Sequence, residues 1–385
     1  MESGDFLIFR RVKLGETGMY KIQNTKGNIV EYVNKIIKDA VHKDVSDIHI
    51  NTSDREFSVK YRIDGVLRRI EEFSKESNKL ELAARIKIIS NMNIAEKRLP
   101  QDGKMNMTVN GTAYDIRVSS IPTVNGESLV LRILKNEEKN TDFEILGFSG
   151  GNLNKINRLL AQKHGLLLIS GPTGSGKTTT LFSLISKLND ESKKIVTIED
   201  PVEKKISSIT QIQVKEKIGL TFLEGLKYIL RHDPDIIVIG EVRDKETAEM
   251  AVKTALTGHL VLATIHTNDT LSTIFRLIDM GIPKYLILNS LIGVISQRLI
   301  RKVCPKCMGE SCSECTGGYK SRININEILL FDEEINEVFR KTESILKIKE
   351  KLKEKGFSSL LDDAHEKEKN GLTNKKEIFR VLGEY

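Results

Sequence analysis

Tryptophan is absent from this 385-residue chain, and aromatic residues make up only 5% of it. A groove studded with aromatics for stacking nucleic-acid bases is therefore not indicated, although the formal charge is +7. The 60 lysines and arginines are interleaved with 53 acids rather than gathered into a basic tract, so the charge reads as a solvated surface. It fits equally a protein that meets anionic headgroups or an acidic partner. Long apolar runs are also missing: none approaches the roughly 20 residues that cross a bilayer. The first residues, with Glu2 and Asp5, lack the layout of a secretory signal. The expectation is a cytoplasmic, globular protein of two or three domains. Cysteine is scarce as well. All four lie within one short stretch, which excludes a disulfide framework spread over the chain.

The stretch on which the chain centres is Gly171, Pro172, Thr173, Gly174, Ser175, Gly176, Lys177 and Thr178, followed by Thr179. Its glycine spacing, lysine and hydroxyl are those of a P-loop, and its context agrees. Leu166 to Ile169 reads as a buried strand, and Leu181, Leu184, Ile185 and Leu188 fall on one helical face. Glycines let successive N–H groups and the positive end of the helix face phosphates. Lys177 is then expected to reach the β and γ phosphates of a nucleoside triphosphate, and Thr178 to hold magnesium.

Upstream, residues 1–27 form a loosely defined lead-in. A helix is expected from Ile29 to Val41, where apolar residues recur at helical spacing, and a strand at Asp47 to Ile50. Alternation over 56–70 around Asp64-Gly65 predicts a hairpin, a helix follows over 78–91, and strands are expected over 105–109, 113–119 and 128–134. This is a small α+β domain over 28–134. Arg98, Arg117 and Arg132 within it are candidates for phosphate contact. Polar residues 135–142 read as a linker.

In the second half, the apolar strand 195–198 ends in Glu199-Asp200-Pro201-Val202-Glu203, and the strand 236–239 runs into Gly240-Glu241. Acids at the carboxyl ends of strands lie where ligands sit in open α/β sheets. Glu241 is the candidate general base for water attacking the γ phosphate. A third strand, 260–265, has His259 before it and His266 after it. His266 is placed to sense the γ phosphate, whereas His259 lies at the other end, where direct contact is less obvious.

Cys304, Cys307, Cys312 and Cys315 form two CxxC units four residues apart, a pattern that closes a tetrahedral zinc site. Redox CxxC chemistry is the competing reading, and the nearby Gly309, Gly317 and Gly318 favour a structural knuckle. The expected segments are an ATPase core over 143–303, the cysteine module over 304–318 and a helical C-terminal region over 319–385.

Read together, SDIHI (46–50), AEKRLPQDGK (95–104), DIRVSSIPTVNGESLVLRIL (115–134), TIEDPVE (197–203), LRHDPDIIVIGEVRD (230–244), TGHLVLATIHTN (257–268) and RLIDMGIP (276–283) resemble the secretion ATPases of type IV pilus assembly (PilB-like) and type II secretion (GspE-like). The resemblance implies an α/β, RecA-like P-loop NTPase domain preceded by a PAS-like domain. It implies that Glu199 and Glu203 belong to an aspartate box and that Glu241 is the Walker B acid. It makes His259 and His266 a histidine box, and Arg117 and Arg132 arginines that neutralise the phosphates. It further implies a homohexamer at the inner face of the membrane, driving a polytopic platform protein (PilC or GspF type). Retraction ATPases (PilT-like) typically lack the cysteine module, so the four cysteines favour pilus assembly. Type II secretion, a competence pseudopilus, or a nucleotide-gated docking role remain the alternatives. A nucleic-acid translocase is disfavoured by the missing aromatic groove.

Overall fold

A computed structural model describes residues 13–14, 19–20, 29–52, 57–73, 76–135 and 142–383. The chain divides into two compact units, Met1–Glu138 and Lys139–Tyr385. Of the expected lead-in, only the short antiparallel pair β1 (Lys13–Leu14) and β2 (Met19–Tyr20) is described. Residues 136–141 of the expected linker lie outside the described residues.

In the first unit, α1 (Ile29–His42) buries Val33, Ile36, Ile37 and Ala40, the stripe that its apolar spacing foretells. β3 (Asp47–Thr52), β4 (Phe57–Ile63), β5 (Val66–Phe73), α2 (Glu76–Ile89), β6 (Gln101–Val109), β7 (Thr112–Thr123) and β8 (Gly126–Lys135) follow. The strands make one antiparallel sheet in the order β5-β4-β3-β8-β7-β6. Asp64-Gly65 and Asn110-Gly111 both turn with positive φ at each residue, the geometry that lets a two-residue hairpin follow the strand twist. Ile48, Ile50, Val59, Tyr61, Ile116, Val118, Leu129 and Leu131 point to one face and form a core with α1 and α2.

The second unit runs α3 (Phe143–Leu146), α4 (Gly150–Leu160), β9 (Gly165–Ser170), α5 (Lys177–Leu188), β10 (Ile195–Glu199), β11 (Thr210–Gln213), α6 (Phe222–Ile229), β12 (Ile236–Ile239), α7 (Lys245–Leu256), β13 (Leu260–Ile265), α8 (Thr270–Asp279), α9 (Lys284–Ser290), β14 (Leu291–Val303) and β15 (Tyr319–Leu330). Its sheet has the order β11-β10-β12-β13-β9-β14-β15, parallel except for β15. β9, β10, β12 and β13 are buried along their whole length, as continuous apolar runs demand of strands covered on both faces. Leu166 and Leu168 enter one core layer with α7, whereas Leu167 and Ile169 enter the other with α4 and α5.

The expected helical region over 319–385 is corrected at its start. Residues 319–330 form β15, paired along its length with β14, and the Ile323-Asn324-Ile325-Asn326 alternation is the strand signal there. The core sheet therefore continues past residue 303. Helices begin with α10 (Glu333–Lys341), followed by α11 (Ile345–Glu354), α12 (Leu360–Lys369) and α13 (Lys375–Leu382). A buried ion pair fastens α13 to the hairpin: Arg301 of β14 donates to Glu377 at 2.6 and 3.0 Å, and its guanidinium stacks on Tyr319 at 3.9 Å.

Candidate active site

Lys177 opens α5, and the loop before it is held in a shape that glycine permits. Gly171, Gly174 and Gly176 have φ of 147°, 77° and 90°. A Cβ on Gly171 would come within 2.5 Å of the Gln297 carbonyl and of Ser175 Oγ. The result is a concave loop at a helix N-terminus, with the buried Ser175 Oγ lacking a hydrogen-bond partner. Such a cradle fits a polyphosphate. Lys177 Nζ donates to the carbonyls of Gly171 at 2.7 Å and Pro172 at 3.1 Å. Burial lowers its pKa to about 8, partly opposed by the charge of Glu241. Thr178 and Thr179 are half-buried on the first turn of α5, so the Thr178 hydroxyl is available to magnesium.

Glu241 follows β12 on the same edge of the sheet. One oxygen lies 3.0 Å from His266 Nε2, and the other accepts from Arg243 Nε at 2.8 Å. The pKa of His266 is lowered by burial and by the nearby Lys177 charge, which favours a neutral ring donating from Nε2 to the carboxylate. Glu199, at the end of β10, is buried and accepts from Thr197 Oγ1 at 2.6 Å and Gln211 Nε2 at 3.0 Å. Its Cα lies 3.1 Å from the Cβ position of Gly240, so the two strand ends abut, and a side chain at 240 would crowd them. Lys177, Glu199, Glu241 and His266 thus meet at one sheet edge. A carboxylate, a neutral imidazole and a buried ammonium can there orient a water and stabilise phosphoryl charge.

Residues 23–380 match the family described as Type II/IV secretion system protein. The chain belongs to that family. It is 39% identical over 388 residues to the type II secretion system protein E of Pseudomonas aeruginosa, covering 94% of this chain and 77% of that protein. It is 38% identical over 382 residues to the type II secretion system ATPase E of Vibrio cholerae serotype O1, covering 92% and 76%. Among solved structures, the pilus retraction motor PilT with bound ADP superimposes with a TM-score of 0.63 at 28% identity, covering 90% of this chain and 95% of that one. This secretion-family chain is accordingly an ATPase with a mixed α/β fold.

Not every residue expected at the site of this secretion ATPase is brought there. His259 precedes β13 and bonds the start of β9, where its carbonyl accepts from Gly165 N at 3.0 Å. Its ring faces Thr254 O and Thr257 Oγ1. The length of β13 puts it about 20 Å from His266, at the opposite end of the strand, as its position before the apolar run implies, so the two histidines expected in one box are not brought together within this chain. Glu203 is exposed on the turn beyond β10 and takes no part in the Glu241–His266 network. Arg117 and Arg132 belong to the first unit, directly opposite one another on β7 and β8. Arg132 Nε is 2.9 Å from Asp47, and Arg117 lies across from Lys104. Arg98 is exposed and paired with Glu96 at 3.2 Å.

Two residues of the network escaped the sequence reading. Arg243 braces Glu241 and stands 3.7 Å from Asp200, and its only signal is its position two residues beyond the acid. Gln297 reaches the P-loop from β14, more than a hundred residues away in sequence, and no local pattern marks it.

The cysteine module closes the tip of the β14–β15 hairpin. All four Sγ atoms lie within 4.8 Å of one another, with Cys304–Cys312 at 3.9 Å and Cys307–Cys315 at 3.6 Å. Tetrahedral zinc–sulfur bonds of about 2.3 Å imply sulfurs about 3.8 Å apart, so the donor set fits zinc. Backbone N–H groups of Ser311 and Cys312 donate to Cys307 and Cys315 sulfurs at 3.2 and 3.3 Å, which stabilises thiolates.

Proposed function

We propose that this ATPase is the motor of a type II secretion system, acting as a homohexamer at the inner face of the cell membrane through a GspF-type platform protein. The observation that carries the reading is the convergence of Lys177, Glu241 and His266 at the P-loop edge, in a chain whose curated relatives serve type II secretion. Pilus assembly, expected from the cysteine module, ranks below it, because those relatives carry the type II name. Glu241 orients the attacking water and takes its proton, held in place by His266 and Arg243. Lys177 binds the β and γ phosphates, and Glu199 supports the site from β10. Thr178 would hold magnesium, which when bound would offset phosphate charge. Arg117 and Arg132 supply further positive charge from the first unit, whose antiparallel sheet and two helices support the PAS-like assignment. Cys304, Cys307, Cys312 and Cys315 hold a structural zinc. In the described residues no helix is long and apolar enough to cross a membrane, so membrane location in this reading comes through partners.

The test measures ATP hydrolysis by the purified chain and by Glu241→Gln, with mass followed by light scattering with and without a nonhydrolysable ATP analogue. Loss of a general base predicts a fall in kcat of about 10²- to 10⁴-fold with ATP binding spared. Normal turnover in the variant would remove Glu241 from that role. A mass that stays monomeric with the analogue would remove the hexamer.

A further inference from the structure

Gln297 lies on β14 where that strand runs past the end of its parallel neighbour β9, so its side chain emerges beneath the P-loop. The residue is 1% exposed. Its amide makes two bonds in opposite senses: Nε2 donates to the Ser175 carbonyl at 2.8 Å, and Oε1 accepts from Thr180 Oγ1 at 2.8 Å. Ser175 lies before Lys177 and Thr180 lies after it, so one planar group ties the loop to the first turn of α5. The backbone contributes as well. The Gln297 carbonyl lies 2.5 Å from where a Cβ on Gly171 would be, and Nε2 stands 3.1 Å from the corresponding position of Gly176. The loop therefore rests on Gln297 at its beginning and near its end.

Lys177 presently stabilises the same loop from inside, through the Gly171 and Pro172 carbonyls. Its ammonium has three donors, so it cannot keep both of those bonds and also bond both the β and γ phosphates. Once it turns to phosphate, the loop loses at least one of its two internal ties to Lys177. The two bonds to Gln297 come from outside the loop and do not compete with the nucleotide.

We infer that Gln297 is a positioning residue for ATP binding, holding the P-loop in its phosphate-receiving shape while Lys177 changes partners. Only an amide supplies a donor and an acceptor on one head of this length, and its orientation is set because the Ser175 carbonyl can only accept. The role concerns nucleotide affinity, not the chemical step, and it rests on ATP binding at this loop rather than on the motor assignment.

The test compares Gln297→Met, which keeps length and removes both bonds, with Gln297→Glu, which keeps the acceptor for Thr180 but faces Ser175 O with an oxygen. Binding is read with a fluorescent ATP analogue and by calorimetry, hydrolysis at saturating ATP, and folding by thermal melting. Both variants are expected to weaken ATP binding at least tenfold, with KM rising in step and kcat within about threefold of the wild type. Thr180→Val, which leaves the Ser175 bond in place, is expected to weaken binding by a smaller factor and guards against misfolding of the Gln297 variants. A folded Gln297→Met protein with ATP affinity within twofold of the wild type would overturn the inference. So would a fall in kcat at unchanged affinity.

Discussion

Lys177 must be charged to bind phosphate, yet burial has brought its pKa down to about 8. Polyphosphate restores the charged form, so in the complex the pKa should return to at least the ordinary value of about 10.4. Between those limits ATP binding takes up a proton. The sign follows directly: affinity is full below pH 8 and falls tenfold per unit as pH rises above it. From pH 7 to pH 9 the protonated fraction of free Lys177 falls from about nine-tenths to about one-tenth, a loss of roughly tenfold in affinity, or about 1.4 kcal/mol. At pH 8.5 about three-quarters of a proton should be absorbed per ATP bound. Calorimetry in buffers of different ionisation enthalpy measures that uptake directly, with nonhydrolysable analogue as ligand. Lys177→Ala, with its weaker binding, should show no such uptake. An affinity that stays flat from pH 7 to 9, with proton uptake below about two-tenths at pH 8.5, would refute the argument that the buried ammonium is poised near neutrality.

Serine at both Cys307 and Cys315 should reduce bound zinc from about one per chain to none and speed amide exchange over 304–319, leaving exchange in β9 unchanged; equal metal content in the variant would discard the site. Glu377 is fully buried and accepts from Arg301 and Arg380, so Glu377→Ala should cost about 3–5 kcal/mol in chemical denaturation, and a loss below about 1 kcal/mol would show that the pair is not what fastens α13 to β14.

What the chain discloses in advance divides by range of interaction. The P-loop, the hairpin turns at Asp64-Gly65 and Asn110-Gly111, and the CxxC pairs are legible because each is a local pattern with a local physical cause. Glu241 and His266 are legible because they end apolar strands, and the ends of parallel strands share an edge. His259 shows the limit of motif logic, since a histidine seven residues earlier on the same strand must emerge at the opposite edge. β15 was hidden by the cysteine segment before it and the helices after it, which drew the reading away from its alternation. Gln297 was not legible at all, and Arg243 only through its place two residues beyond Glu241. Their roles come from tertiary adjacency, Gln297 through a strand inserted beside β9 and Arg243 through a side chain that folds back on its own neighbour.

The β14–β15 hairpin enters and leaves the cysteine module at adjacent points: Val303 pairs with Tyr319, and Cys304 N donates to the Gly318 carbonyl at 2.9 Å. A segment whose two ends are already joined can change length without shifting the register of the strands below it. The tip is thus a module that can lengthen, shorten or be replaced, while six residues further down the same strand the phosphate loop keeps its support. The metal module and the support of the phosphate loop share one ribbon but are free to vary separately.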